Sequence, residues 1–421
     1  MKSSSPSSWQ VDLQCPQCGA LVVIEETDRI FLCDYCRVRL YLHQADPCRY
    51  YLAPRVEPLE DILFAPYWRF KGMVFTLDRD GVSDQLVDSN RLALPSQPFP
   101  ISLGVRPQAL RLKHLTPDLG GKYLVREGNF FYPGFSRPPA ITPGVAGRPS
   151  PAGTLAARAF IGETLSLIYA PFLVRDGALI DAILDHPVIR DLDHAGEDLP
   201  SIRDAPGRIR FMPMLCPACG WDLEGEKNAL VLLCRNCESA WQAGSGGGME
   251  RISFAVAGNG EEDSWYLPFW QIRATIPGAG LKSFADLARF ANLPKAVQGR
   301  WEEQPPAFWI PAFKLQPKLF LRLARALTLA PPALARQGSL PRCNLHHATL
   351  PLAEAVEGIR VLLAAVAAKR EVLLAGFASL AIELEEPGLV YVPFTLKGLE
   401  LIQPTLQLSI SANAFQWGKL L

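Results

Sequence analysis

Stretches rich in aromatic and β-branched residues, bounded by glycine or charged turns, recur along the chain. They predict strands over 66–77, 169–180, 265–276 and 390–402. Each holds a proline near its start, Pro66, Pro171, Pro268 and Pro393. That places proline at a strand beginning, edge or bulge, where its missing N–H costs least. Neighbouring side chains of a strand point to opposite faces, so one member of each pair Tyr67/Trp68 and Phe269/Trp270 is expected to face a core. Helical spacing appears later. Residues 317–329 put Leu319, Leu323, Ala326 and Leu327 on one face, with proline in the first turn. Residues 283–293 and 352–372 are further helix candidates, the second carrying Ala355, Ile359, Leu362, Leu363 and Val366 along one side. Residues 133–153 hold six prolines and four glycines, which predicts a loop with no core of its own. Gly244–Gly248 reads as a flexible exit.

The pattern repeats. Cys15, Cys18, Cys33 and Cys36 become Cys216, Cys219, Cys234 and Cys237 on adding 201 to each number. Pro66-Tyr67-Trp68 matches Pro268-Phe269-Trp270 at offset 202, and Tyr169-Ala170-Pro171-Phe172 matches Tyr391-Val392-Pro393-Phe394 at 222. A kept order with a growing offset predicts a duplicated unit whose second copy gained insertions. The expected fold class is α+β, a tandem duplication of a small four-cysteine module followed by a mixed, β-rich body with helices. The expected divisions are a polar tail at 1–12, a first cysteine module at 13–45 and a first body at 46–203. A linker at 204–213, a second module at 214–243 and a second body at 244–421 complete them.

Both cysteine sets read Cys-x2-Cys-x14-Cys-x2-Cys. Four thiolates in two close pairs, joined by a hairpin's worth of chain, suit a tetrahedral metal ion. Gly19 and Gly220 follow the first pair of each set and permit the tight turn that aims amides at the sulfurs. Disulfides belong to oxidising compartments, and residues 1–10 are polar and serine-rich without an apolar export segment. A cytoplasmic location is expected. The phrases Cys15-Pro16-Gln17-Cys18-Gly19 and Cys216-Pro217-Ala218-Cys219-Gly220 resemble zinc ribbons, over residues 13–42 and 214–243. That resemblance implies two structural zinc ions, one per set. Rubredoxins use similar knuckles for iron, but the second knuckles here, Cys33 to Arg37 and Cys234 to Glu238, lack their proline and glycine.

Lysine plus arginine and aspartate plus glutamate each number 42, so no global field draws nucleic acid or anionic lipid. No apolar run approaches the ~20 residues that span a bilayer, so no membrane insertion is expected. Phosphate-loop, dinucleotide, nucleophile-elbow and zinc-protease motifs are missing, and no small-molecule substrate is evident. The acidic stretch from Asp181 to Asp198 begins like a calcium loop, but Ala195 and Ile202 occupy ligand positions. Cys343 with His346 and His347 is half of a metal site without its other half. Four thiolates close a zinc shell and leave no place for substrate, so the expected role is structural and non-enzymatic. The leading expectation is an adaptor or scaffold that binds protein partners through separable, ribbon-bearing lobes. The alternative is nucleic-acid association through Arg29, Arg37 and Arg39, and a minor one is electron transfer with iron in the cysteine sites.

Overall fold

The computed structural model describes residues 10–44, 48–78, 80–94, 98–104, 110–115, 119–125, 155–190, 201–202, 209–244, 246–258, 264–332, 340–341, 344–375, 377 and 380–415. The loop predicted over 133–153 lies outside them. Two long antiparallel pairs organise the chain. Leu63–Asp78 pairs with Leu155–Arg175, and Trp265–Thr275 pairs with Glu383–Lys397. Pro66 stands opposite Tyr169 in the first pair, and Pro268 opposite Tyr391 in the second. A short strand joins each pair in parallel, Cys48–Leu52 in the first and Phe254–Val256 in the second. Each pair then runs on through two hairpins. Arg175 opposite Ala178 and Asp181 opposite His186 recur, 222 residues on, as Lys397 opposite Glu400 and Gln403 opposite Leu408.

Two of the predicted strands are therefore hairpins. Asp176-Gly177 breaks the first, with φ of 52° and 71°, and Gly398 breaks the second with φ of 61°. Asp-Gly is the residue pair that a tight two-residue turn with positive φ demands. Each proline sits where its strand changes neighbour. One edge of Leu63–Asp78 pairs with Lys122–Leu124 through Leu63 and Phe64, then with Val82–Leu92 from Tyr67 onward. Pro66 fills the gap, so no ladder bond is lost. Pro171 likewise separates the pairing with Cys48–Leu52 from the pairing with Ala178–Asp181.

The α+β expectation is corrected to a β-rich fold. Among the described residues the α-helices are few and all lie in the second body: Phe284–Phe290, Pro317–Leu329, Leu352–Val366 and Arg370–Ala375. The helical pattern over 352–372 was real but local, and the chain turns at Ala367 before Arg370. Elsewhere long strands dominate, because aromatic and β-branched runs can be covered on both faces of a sheet. Tyr67 and Trp68 are both buried, as are Phe269 and Trp270. Both members of each pair face a core.

One face of Leu63–Asp78 changes character along its length. Ala65 and Tyr67 pack with the first cysteine module, whereas Met73, Phe75 and Leu77 pack into the core of the second body. Phe75 meets Phe320 at 6.2 Å between ring centroids, and Leu352–Val366 lies against Leu155–Arg175. Arg69 and Lys71 lie between these apolar stretches, both buried. The two bodies thus share a core.

The cysteine modules also meet. Ile30–Leu32 and Arg39–Gln44 form a small sheet whose third strand is Ile209–Pro213, part of the expected linker. In the second module Val231–Cys234, Ser239–Ala243 and Met249–Ile252 form another. Gly244 and Gly248 close its last turn, the Gly244 amide donating to the Gly248 carbonyl at 2.8 Å, rather than forming a loose exit. Ile30 and Tyr41 of the first module share a buried cluster with Met214, Leu223, Leu232 and Trp241 of the second. The Arg29 and Ile30 amides donate to the Lys227 carbonyl, and the Arg39 guanidinium to that of Gly225. No helix among the described residues is long and apolar enough to cross a membrane.

Candidate metal centres

Each cysteine set converges. In the first, Cys15 Sγ lies 3.7 Å from Cys36 and Cys18 Sγ lies 3.6 Å from Cys33; in the second, Cys216–Cys237 is 3.6 Å and Cys219–Cys234 is 3.4 Å. All four sulfurs of each set fall within 4.8 Å of one another. A tetrahedral ion with zinc–sulfur bonds near 2.3 Å separates its sulfurs by about 3.8 Å. The tetrads fit such an ion, and each can hold one metal.

Four knuckle turns build this geometry. The residue after the second cysteine of each pair is left-handed: Gly19 at φ 73°, Arg37 at 62°, Gly220 at 71° and Glu238 at 49°. The turn returns the Gly19 amide to the Cys15 carbonyl at 2.9 Å and the Gly220 amide to that of Cys216 at 2.8 Å. Following amides then face the sulfurs. Amides of Cys36 and Tyr35 draw the Cys33 thiol down to about 7. Cys216 is drawn to about 6: burial opposes its ionisation, and the amides of Ala218 and Cys219 with the Ser239 hydroxyl outweigh it. Amides aimed at sulfur favour the thiolate that a metal needs.

The two sites differ in one layer. Ser239 Oγ lies 3.0 Å from Cys237 Sγ and 3.8 Å from Cys216 Sγ, and it accepts from the Trp241 indole at 2.7 Å. The indole fixes the hydroxyl so that its own hydrogen turns toward sulfur. Val38 holds the corresponding place in the first site. In both sites two ligands are buried, one is partly buried and one, Cys18 or Cys219, is exposed.

The three arginines of the nucleic-acid alternative do not form one edge. Arg29 is half-buried and donates to Cys48 Sγ at 3.7 Å, Arg39 reaches the second module, and Arg37 is exposed. Asp181 accepts from the amides of Ile183 and Leu184, and Asp185 pairs with Arg175, so both serve turns. The rest of that acidic stretch, 191–198, is outside the described residues. So is Cys343. His346 packs between Phe313 and Phe415, and desolvation holds the partly buried His347 below the usual imidazole range.

The sequence reading missed a buried ionic belt. Glu26, in the turn after Leu21–Glu25, pairs with Arg69, which also reaches Asp88 at 3.3 Å. Lys71 and Lys314 stand nearby, and Glu354 accepts from the Gly162 amide. The belt lies at the seam of the first module and the two bodies. Its signal was two charges inside an otherwise apolar strand, Arg69 and Lys71. Comparison with protein-family models, curated proteins and solved structures finds no match to the chain.

Proposed function

We propose that this protein is a non-enzymatic, zinc-binding adaptor that assembles protein partners. The supporting observation is the pair of tetrads, each with four sulfurs converging on one point and leaving no open coordination position. Metal in such a shell holds loops in place rather than activating water. The loops held here carry large exposed side chains, Tyr35 in one knuckle and Trp221 beside another. Exposed aromatics on a rigid frame are the usual anchors of protein recognition. The nucleic-acid alternative has less support, because two of its three arginines are engaged within the molecule.

The test is to purify the tagged chain from its native host with and without nuclease, and to identify what co-elutes. Protein partners that persist through nuclease and moderate salt are expected. Partners that vanish on digestion, with nucleic acid recovered, would move the function to the alternative. Metal analysis is expected to give two zinc ions per chain and a colourless protein; visible absorption would indicate iron.

A further inference from the structure

The second metal site is built more tightly than the first, in three independent ways. Ser239 and its indole partner back the sulfurs of Cys237 and Cys216, whereas Val38 holds that place in the first site. The Asn236 side chain donates toward Cys219 Sγ, the exposed ligand. Tyr35 holds the place of Asn236 in the first module, 76% exposed and without a side-chain amide to offer. Backbone supplies the third difference. The Glu224 amide donates to the Leu233 carbonyl at 2.8 Å and the Leu233 amide to that of Glu224 at 2.9 Å, which joins the segments behind the two knuckles. Their counterparts, Val23 and Leu32, share no ladder or bridge among the described residues. Leu21–Glu25 belongs to the large sheet and Ile30–Leu32 to the small one.

Metal therefore plays a different part in the two modules. Cys15 and Cys18 follow Gln10–Gln14 of the large sheet, whereas Cys33 and Cys36 lie between Ile30–Leu32 and Arg39–Gln44 of the small one. An ion held by all four is a bolt between sheets that backbone pairing leaves apart. In the second module the ion adds to a junction that the backbone already closes. Groups that hydrogen-bond the ligands of a metal typically change its affinity by about 10–100-fold, and those groups are missing where Cys18 meets solvent.

We infer that the first tetrad is a reversible zinc clasp. It yields its ion to a competing chelating or thiol ligand while the second tetrad keeps its own, and the loss parts the two sheets and withdraws partner binding. The step is an exchange of ligands: zinc passes from four thiolates to the acceptor, the thiolates take up protons, and nothing is oxidised or reduced. Exposed apolar side chains stand on both sheets of the first module, Leu21 and Val23 on one and Leu32 on the other. The surface they make together changes when the sheets part. The inference rests on the adaptor reading and names its regulation.

The test is stepwise removal of zinc from the two-zinc full chain with a chelating dye, followed by brief alkylation with iodoacetamide and mapping of the labelled cysteines by mass spectrometry. Two release phases are expected, the first faster by about tenfold or more. After that phase the label should lie on Cys15, Cys18, Cys33 and Cys36, and not on Cys216, Cys219, Cys234 and Cys237. Amide exchange at the same stage should rise across Leu21–Glu25 and Ile30–Leu32 more than across Val231–Cys234. Swapping the exposed pair, Tyr35→Asn with Asn236→Tyr, should narrow the gap between the phases by about tenfold. Both positions lie on the surface, and melting temperature reports on folding. Release of both ions together, release from the second site first, or a gap that the swap leaves unchanged would overturn the inference. Partner recovery tests the regulation. Partners bound by the two-zinc chain and lost from the one-zinc chain are expected; partners held equally by both would overturn the switch and leave the adaptor reading standing. No partners with the two-zinc chain would sink that reading and the switch with it, while the release order still judges the clasp.

Discussion

Four left-handed residues hold the metal sites, and only two of them are glycine. Arg37 and Glu238 carry side chains in a conformation that costs roughly 1 kcal/mol outside glycine. Arg37→Gly and Glu238→Gly are therefore expected to be neutral or to raise stability slightly, despite the freedom glycine gives the unfolded chain. Gly19→Ala and Gly220→Ala, where nothing stands within 4 Å of an added Cβ, should cost about 1 kcal/mol from backbone strain alone. Chemical denaturation of the zinc-loaded chain reads both. The Ser239 hydroxyl gives a second residue-scale expectation. Ser239→Val, which copies Val38, should weaken zinc retention at the second site by about tenfold and leave the first unchanged, measured by competition with a chelating dye. The Glu26–Arg69 pair gives a third. Both side chains are buried, so Glu26→Gln removes the buried partner of Arg69, which keeps the partly exposed Asp88, and should cost about 3 kcal/mol, while Glu26→Gln with Arg69→Met should recover much of that loss. A double-mutant cycle of melting temperatures checks it.

At the scale of elements, the cysteine modules are less separable than their sequence suggests. Cys216 and Cys234 belong to the same buried cluster as Ile30 and Tyr41, and the Lys227 carbonyl ties the second module to the turn that opens Ile30–Leu32. Loss of the second metal should therefore loosen the first module. Cys219→Ser is expected to raise amide exchange across Ile30–Leu32 and Arg39–Gln44 as well as across Val231–Cys234. Exchange confined to residues 214–243 would show that the shared cluster carries little of the coupling. Gln10–Gln14 extends this attachment to the large sheet, since Val11 pairs in parallel with Leu112.

The whole molecule joins two similar topologies head to tail. Met73 and Ile161, opposite one another in the first, are buried under the second body; their counterparts in the second, Thr275 and Glu383, are polar and are not buried. A repeated unit ends cleanly only when its last copy turns a polar face outward. The interior also sets a pH response. His114 is buried against Tyr50, and burial, with Arg29 adding to it, lowers its pKa to about 3. His43 and His347 are lowered by burial as well. A base held neutral in the fold takes up its proton on unfolding, so stability is full above about pH 6.5 and falls as pH drops toward 3. His114 alone should cost about 2 kcal/mol between pH 7 and pH 5. His114→Phe, which keeps the ring contact, should lose correspondingly less over that interval in denaturant titrations. A zinc-sensitive dye in the same samples separates this loss from acid release of metal.

The spacing of eight cysteines determined both candidate metal centres, because two residues between ligands is what one knuckle turn spans. The recurring proline–aromatic phrases likewise placed the paired long strands, since their residues stand opposite one another at the offsets the sequence gives. Local pattern did not determine which strands run on through a turn, and the Asp176-Gly177 signal was there to be read. Only the tertiary structure decided the rest. It turned Arg29 inward to Cys48, joined the two modules in one cluster and drove the first body's long strands under the second body's helices. It also gathered Glu26, Arg69, Lys71, Lys314 and Glu354 into one seam. These contacts join residues far apart in the chain, and their energies come from burial and pairing that no single segment can show.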